Sequence, residues 1–357
     1  MAYIGVDLHK DRFTAKFKTN INKDNLESYY LNPDGIRKFK GNLKKDDYVF
    51  LEASTPTFAF SDLIKRCVKE TIVVDPFQFK VIVDSGKKTD KVDAGTLAKM
   101  GKYHVETGKD FLPEVCIPDK KIRKLRSLFT TYQLINREIT MVKNRIYSIF
   151  RQNLKPYTKR YIFGKLMHDL ESCDLDEEYK IQVKVLFEIL DTIEKKKEEI
   201  KRKILIEGKS FMRDIDLLVS IKGISVFIAL GLISDYDTIN RFKNAKKFAR
   251  YLRSTPKTET SNKRVKNGKT QKSGRKLSFS FMLQGMNHFV IENHHLAKFY
   301  FKIKKTKGGG KARTALIRKM LVTIYHMLKK REYYWFMDRE LHNRKMKEYK
   351  EFLEKNH

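Results

Sequence analysis

Four carboxylates in the first hundred residues, Asp7, Glu52, Asp90 and Asp93, have the type and surroundings to do chemistry together. Asp7 stands near the end of the apolar run AYIGVDL over residues 2–8, and Glu52 closes the run YVFLE over residues 48–52. Both runs are short, β-branched and aromatic, as buried strands are. An acid in such a run is costly unless a cation or hydrogen bonds meet it. Asp90 and Asp93 are three apart and share one face if their segment is helical. Four carboxylates converging on one spot would repel one another, and a divalent cation with oxygen ligands, Mg²⁺ above all, is the usual remedy. Two such cations could activate an attacking oxygen and stabilise the leaving oxygen of an in-line phosphoryl displacement. Singly, each acid reads as a solvated strand end or helix cap. Lys10 and Lys91 are candidate phosphate contacts beside them.

The elements that must position these acids can be read from pattern. Residues 12–19 alternate as a half-exposed strand, residues 27–31 make a third strand, and a helix near 35–44 leads into the strand that carries Glu52. A helix at 57–69 and a strand at 71–74 follow, giving strand-strand-strand-helix-strand-helix-strand-helix. We expect a first domain over residues 1–108. A second region, 117–206, holds two long amphipathic helices. Ile122, Leu125, Phe129, Ile139, Ile146 and Ile149 mark one seam, and Val183, Leu186, Leu190 and Ile204 the other, which Lys197 interrupts. They form an antiparallel hairpin or a dimer arm.

The third region, 210–357, opens with a helix, Gly223 and a second apolar helix over 226–233, a pattern that suits a turn offering amides to a phosphate. Lys257, Lys263, Arg264, Lys266, Lys269, Lys272 and Arg275 follow, and no acid lies between Asn262 and Gln284. Such a stretch is expected to be a loop that orders only against phosphates. Residues 304–311, KKTKGGGK, read as a second flexible basic loop, and a helix and a charged helical tail with Trp335 and Phe336 end the chain.

Composition agrees with a polyanion partner. The net charge is +33, from 76 Lys and Arg against 43 Asp and Glu, while 41% hydrophobic residues argue for a folded chain. The three cysteines are far apart, so neither a zinc site nor a disulfide framework is expected, and a reduced cytoplasmic compartment fits. Neither a signal peptide nor a membrane span is expected.

The segments GVDLHK (5–10), Glu52 and DKVDA (90–94) resemble the DEDD insertion-sequence transposases, also called bridge-RNA-guided recombinases. So do RFKNA (241–245), FARYL (248–252) and TPKTETSN (255–262), followed by Gly268, Lys272 and Gly274. The resemblance implies an α/β plus all-α chain: a ribonuclease-H, RuvC-like first domain, a coiled-coil middle used in assembly, and a mostly helical C-terminal transposase domain. It also implies that Ser261, five residues past Pro256, is a nucleophile that forms a phosphoserine link with DNA. Asn262 stands where the family has glycine, and Asn tolerates a left-handed backbone. The implied partners are Mg²⁺, donor and target DNA, an element-encoded bridge RNA, and a homodimer or homotetramer in a bacterial or archaeal, nucleoid-associated setting. Two other readings stay open. One is a metal-dependent, junction-resolving endonuclease that uses water and needs no serine. The other is a non-catalytic nucleic-acid-binding descendant.

Overall fold

The structure, a computed structural model, describes every residue except 20–23, 83–89, 109–110, 262–263, 271–272, 292–293 and 357. Side chains at 80–82, 90–91, 257–261, 264–267 and 269–270 also lie outside the description. The chain divides into two compact units, Met1–Ile117 and Pro118–His357.

The first unit is a mixed five-stranded sheet with helices on both faces. Its strands are β1 (Tyr3–Leu8), β2 (Arg12–Lys18), β3 (Asn25–Tyr30), β4 (Tyr48–Glu52) and β5 (Glu70–Val74), in the order β3-β2-β1-β4-β5. The β1–β2 and β2–β3 pairs are antiparallel, and β1–β4 and β4–β5 are parallel. The helices are α1 (Pro33–Gly41), α2 (Thr57–Ile64), α3 (Pro76–Ile82) and α4 (Asp90–Thr107), so elements follow one another in the expected order.

Strand alternation sorts the side chains into two cores. Ile4, Val6, Val49, Leu51 and Val73 pack with Phe39 of α1 and Phe60 of α2, where Phe13 meets both rings at 5.2 and 4.9 Å. Tyr3, Tyr48, Phe50 and Val74 pack on the opposite face with Phe79 of α3 and Leu97 of α4. Gly5 lies on that second face, and a Cβ there would collide with the Ala94 carbonyl and sit 2.9 Å from the Leu97 Cβ. Glycine at position 5 therefore lets the backbone of α4 touch β1.

The second unit is helical apart from one hairpin. It comprises α5 (Lys120–Gln152), the short α6 (Lys159–Tyr161), α7 (Glu177–Glu207), α8 (Met212–Val219), α9 (Val226–Tyr236) and α10 (Ala245–Tyr251). Strands β6 (Pro256–Ser261) and β7 (Arg264–Thr270) precede α11 (Leu277–Gln284), α12 (Met286–Ile291), α13 (His294–Lys307), α14 (Gly309–Lys330) and α15 (Arg339–Lys355). Helices α5 and α7 run antiparallel, tied by Lys143–Glu194 at 2.7 Å and Lys124–Glu207 at 2.5 Å. The distal seam buries Ile139, Ile146, Ile149, Val183, Phe187 and Leu190. At its base Ile122, Leu125, Phe129 and Ile204 enter the core of the later helices, alongside Leu230, Phe281, Leu316 and Ile324. Lys197, which interrupts the seam, holds its ammonium 5.8 Å from the ring centre of Tyr132.

Two sequence expectations are corrected here. The stretch after Pro256 is not a bare loop: β6 and β7 pair antiparallel from Thr258↔Asn267 to Ser261↔Arg264, because a ladder satisfies the backbone groups even where side-chain charge is dense. The stretch 304–311 is not a loop either. Lys304 to Lys307 complete the last turn of α13, where cations suit the helix dipole, and Gly308, at φ +81°, alone makes the break before α14.

Candidate functional site

The acids are placed by strand register. Val6 pairs with Leu51 across the parallel β1–β4 ladder, so Asp7 and Glu52 come next at the same end of adjacent strands. By alternation both lie on the face that α4 covers. Asp90 occupies the first position of α4, one turn before Ala94, and Asp93 lies one turn before the buried Leu97. The close approach of Ala94 to Gly5 brings the start of α4 to the strand end that carries Asp7.

The carboxylate of Asp7 is mostly buried and pairs with His9, Nε2 to Oδ2 at 3.1 Å, from the β1–β2 turn. Lys10 is exposed in the same turn. Glu52 is positioned through its backbone: its carbonyl accepts the buried Thr57 hydroxyl at 2.6 Å, and Thr57 Oγ1 accepts the Ser54 amide at 2.9 Å. Thr57 escaped the sequence reading, though Ser54 and Thr57 after a strand-end acid do spell a turn. Hard carboxylate oxygens suit a cation such as Mg²⁺. Among the described residues, no group of three or more His, Cys, Asp or Glu side chains is arranged to hold a metal. The side chains of Asp90 and Lys91 lie outside the described residues, so that statement does not cover the full set of four.

In the second unit, Ser261 ends β6, with its backbone paired to Arg264; its side chain lies outside the described residues. So do the side chains of Lys257, Arg264, Lys266 and Lys269, and the whole of Lys263 and Lys272. What is described is how this hairpin is held. Asp235, fully buried at the end of α9, accepts from Arg275 Nε at 2.9 Å, from the Ser278 amide at 2.8 Å and from the Ser278 hydroxyl at 2.9 Å. Arg126 of α5 donates to the carbonyls of Ser234 at 2.6 Å and Asp235 at 3.0 Å. Burial holds the Arg126 guanidinium below its usual range.

The same network closes the foot of the hairpin. The Arg275 amide donates to the Tyr251 carbonyl at 2.9 Å, and Arg253 Nε donates to the Gly274 carbonyl at 2.6 Å. Gly274 adopts φ +94°, where a Cβ would strike the Tyr251 carbonyl. Residues 251 and 275, the two ends of the segment that carries Ser261, are thus pinned together. Arg275, a candidate phosphate contact by sequence, is ion-paired inside this clamp. Arg241 lies 4.3 Å over the Tyr251 ring beside it. Sequence reasoning missed Asp235 altogether, since nothing local marks an acid whose partners stand 40 and more residues away.

Among the described residues, no helix is long and apolar enough to cross a membrane. No curated protein matches the chain. Residues 215–300, from α8 into α13 and including Asp235, Ser261 and Arg275, match the family model described as "Transposase IS116/IS110/IS902 family".

Proposed function

We propose that this chain is an insertion-sequence recombinase that cuts and reseals DNA through a phosphoserine intermediate on Ser261. The four acids Asp7, Glu52, Asp90 and Asp93 are the cation site proposed for that reaction. The observation that carries the reading is the family match over residues 215–300, because it contains Ser261 together with the clamp that fixes its hairpin. The strand order β3-β2-β1-β4-β5, antiparallel on one side of β1 and parallel on the other, supports a ribonuclease-H, RuvC-like first unit. The register that sets Asp7 beside Glu52 supports a shared cation site.

A serine hydroxyl is a weak nucleophile until its proton is removed. In the proposed step the Ser261 oxygen bonds to a DNA phosphorus and the bond from that phosphorus to the 3′-oxygen breaks. The proton that Ser261 gives up is balanced by the one the 3′-oxygen takes up as it leaves as a hydroxyl. One phosphoester replaces another, so the reverse attack by a 3′-hydroxyl on the phosphoserine reseals a strand without ATP. Bound Mg²⁺, held by Asp7 and Glu52 with the acids at 90 and 93, would supply charge stabilisation for the phosphoryl oxygens. His9 keeps the Asp7 carboxylate oriented, and Lys10 offers a cation to a backbone phosphate.

The excess of positive charge agrees with polyanion partners of either kind, and the resemblance implies a guide RNA beside donor and target DNA. An exposed stripe on α7, Ile181, Val185 and Ile189 at 62%, 49% and 41% exposure, supports a homodimer or homotetramer built through the arm.

The test is Ser261→Ala in the full chain with end-labelled donor DNA. The wild type should yield a slowly migrating, protease-sensitive adduct on a denaturing gel, and the variant none. Adduct from the variant would remove Ser261 from the mechanism. Cut products that carry free 5′-phosphates and no protein would instead favour the junction-resolving endonuclease.

A further inference from the structure

We infer that a groove at the foot of the Ser261 hairpin is a seat for single-stranded DNA. Its volume is ≈ 1160 Å³, and Pro256 of β6 and Gly268 of β7 form part of its wall. The opposite wall is Phe299 of α13 and one face of α14. That face carries Lys311, Arg318 and Lys319, spread over roughly 12 Å of helix at 1.5 Å per residue, and Lys307 extends the row from the end of α13. All four cations are exposed, none has an acidic partner among the described residues, and no described lining residue is acidic.

The lining chemistry selects the occupant. A row of cations with no acidic partner among the described residues calls for phosphates spaced along a chain. The half-buried Phe299 ring, with the Lys319 ammonium 4.6 Å from its centre, adds an aromatic surface against which a base can stack. A space of this size matches a few nucleotides of a single strand. Ser254, the lining hydroxyl nearest the hairpin, already donates to the Ala249 carbonyl at 2.7 Å. The strand that forms the wall is the one that ends at Ser261, so a DNA strand opened there leads into the groove. The choice of DNA over RNA rests on the proposed serine chemistry.

The test uses the full chain and fluorescence anisotropy with a short labelled oligo-dT, the matching duplex and oligo-rU. Lys311→Ala/Arg318→Ala/Lys319→Ala should weaken oligo-dT binding at least tenfold and flatten its salt dependence, while duplex binding changes by less than about threefold. Phe299→Ala, which keeps every charge, should weaken oligo-dT binding about fivefold or more. Equal losses for duplex and single strand, no loss for oligo-dT, or tighter wild-type binding to oligo-rU would each overturn the seat. Thermal unfolding of both variants checks that they are folded. Ser261→Ala should bind oligo-dT as the wild type does. If the wild type forms no adduct while the groove variants still lose oligo-dT, the serine reading fails and the groove stands.

Discussion

At the scale of single residues, the buried carboxylate of Asp235 matters most to the hairpin. It meets one guanidinium, one amide and one hydroxyl, and it is fully shielded from bulk solvent. Asp235→Asn would leave Arg275 without its counter-charge and oblige an amide nitrogen to face donors. We expect a loss of about 3 kcal/mol, the usual scale for breaking one side of a buried pair, measured by urea unfolding. Adding Arg275→Ala should cost less than the sum of the two single changes, since both act on one contact. Asp237, two residues on, sits at φ +63°, and burial raises its carboxyl above the ordinary carboxylate range against the pull of Arg126 and Arg241. A raised acid binds its proton more tightly in the fold than in the unfolded chain. It therefore favours the fold at low pH and loses that advantage as pH climbs through the raised value. Asp237→Asn should gain stability relative to the wild type when unfolding is compared at about pH 4 and about pH 7. Neither role is legible in the sequence, where residues 235–237 merely end an apolar run; the acids at 7 and 52 stand out because each falls at or near the end of a recognisable strand, and those at 90 and 93 by their three-residue spacing.

At the scale of elements, α4 depends on a residue outside itself. A methyl at Gly5 would collide with the Ala94 backbone, so the helix must lift from β1 and carry positions 90 and 93 away from Asp7. Gly5→Ala should destabilise the chain by about 1–3 kcal/mol, the cost of overpacking, and should depress DNA cleavage further than that loss explains. Gly41, the last residue of α1 with nothing within 4 Å of its would-be Cβ, is the contrast. Gly41→Ala should shift stability by no more than about 0.5–1 kcal/mol, upward, because alanine is the better helix former. Circular dichroism during denaturation reads both. The arm gives a second contrast. Its inner seam was legible from spacing, since Ile122, Leu125, Phe129, Ile139, Ile146 and Ile149 are all buried. Its outer stripe, Ile181, Val185 and Ile189, has an equally plain four-residue spacing, but it lies off the stronger seam that α5 covers. Ile181→Asp/Val185→Asp/Ile189→Asp should leave that seam intact and shift the chain to a smaller species in size-exclusion chromatography. The β6–β7 hairpin and the α13–α14 corner stayed hidden because cations dominate both segments. Charge reports what a segment faces, whereas backbone pairing and one positive-φ glycine decide its shape.

At the scale of the whole molecule, the proposed function makes the excess charge the term that sets how the protein meets DNA. With 76 basic residues against 43 acidic ones, cations are in excess by 33, and the four in the groove have no acidic partner among the described residues. Each phosphate that such a residue neutralises releases condensed counterions, so the logarithm of affinity should fall linearly with the logarithm of salt, at about 0.9 per contact on a duplex. A protein that engages both a duplex and a strand beside its nucleophile should make roughly six to ten such contacts, so affinity should drop at least about a thousandfold between ~50 and ~200 mM salt. Anisotropy titrations with donor DNA at several salt concentrations measure this slope. The groove variant Lys311→Ala/Arg318→Ala/Lys319→Ala separates the sources: on a single strand its slope should be shallower by about two, at ~0.7 per contact. A wild-type slope below about two on donor DNA would mean that most of the charge never meets phosphate, and the composition of this chain would then be a property of its surface alone.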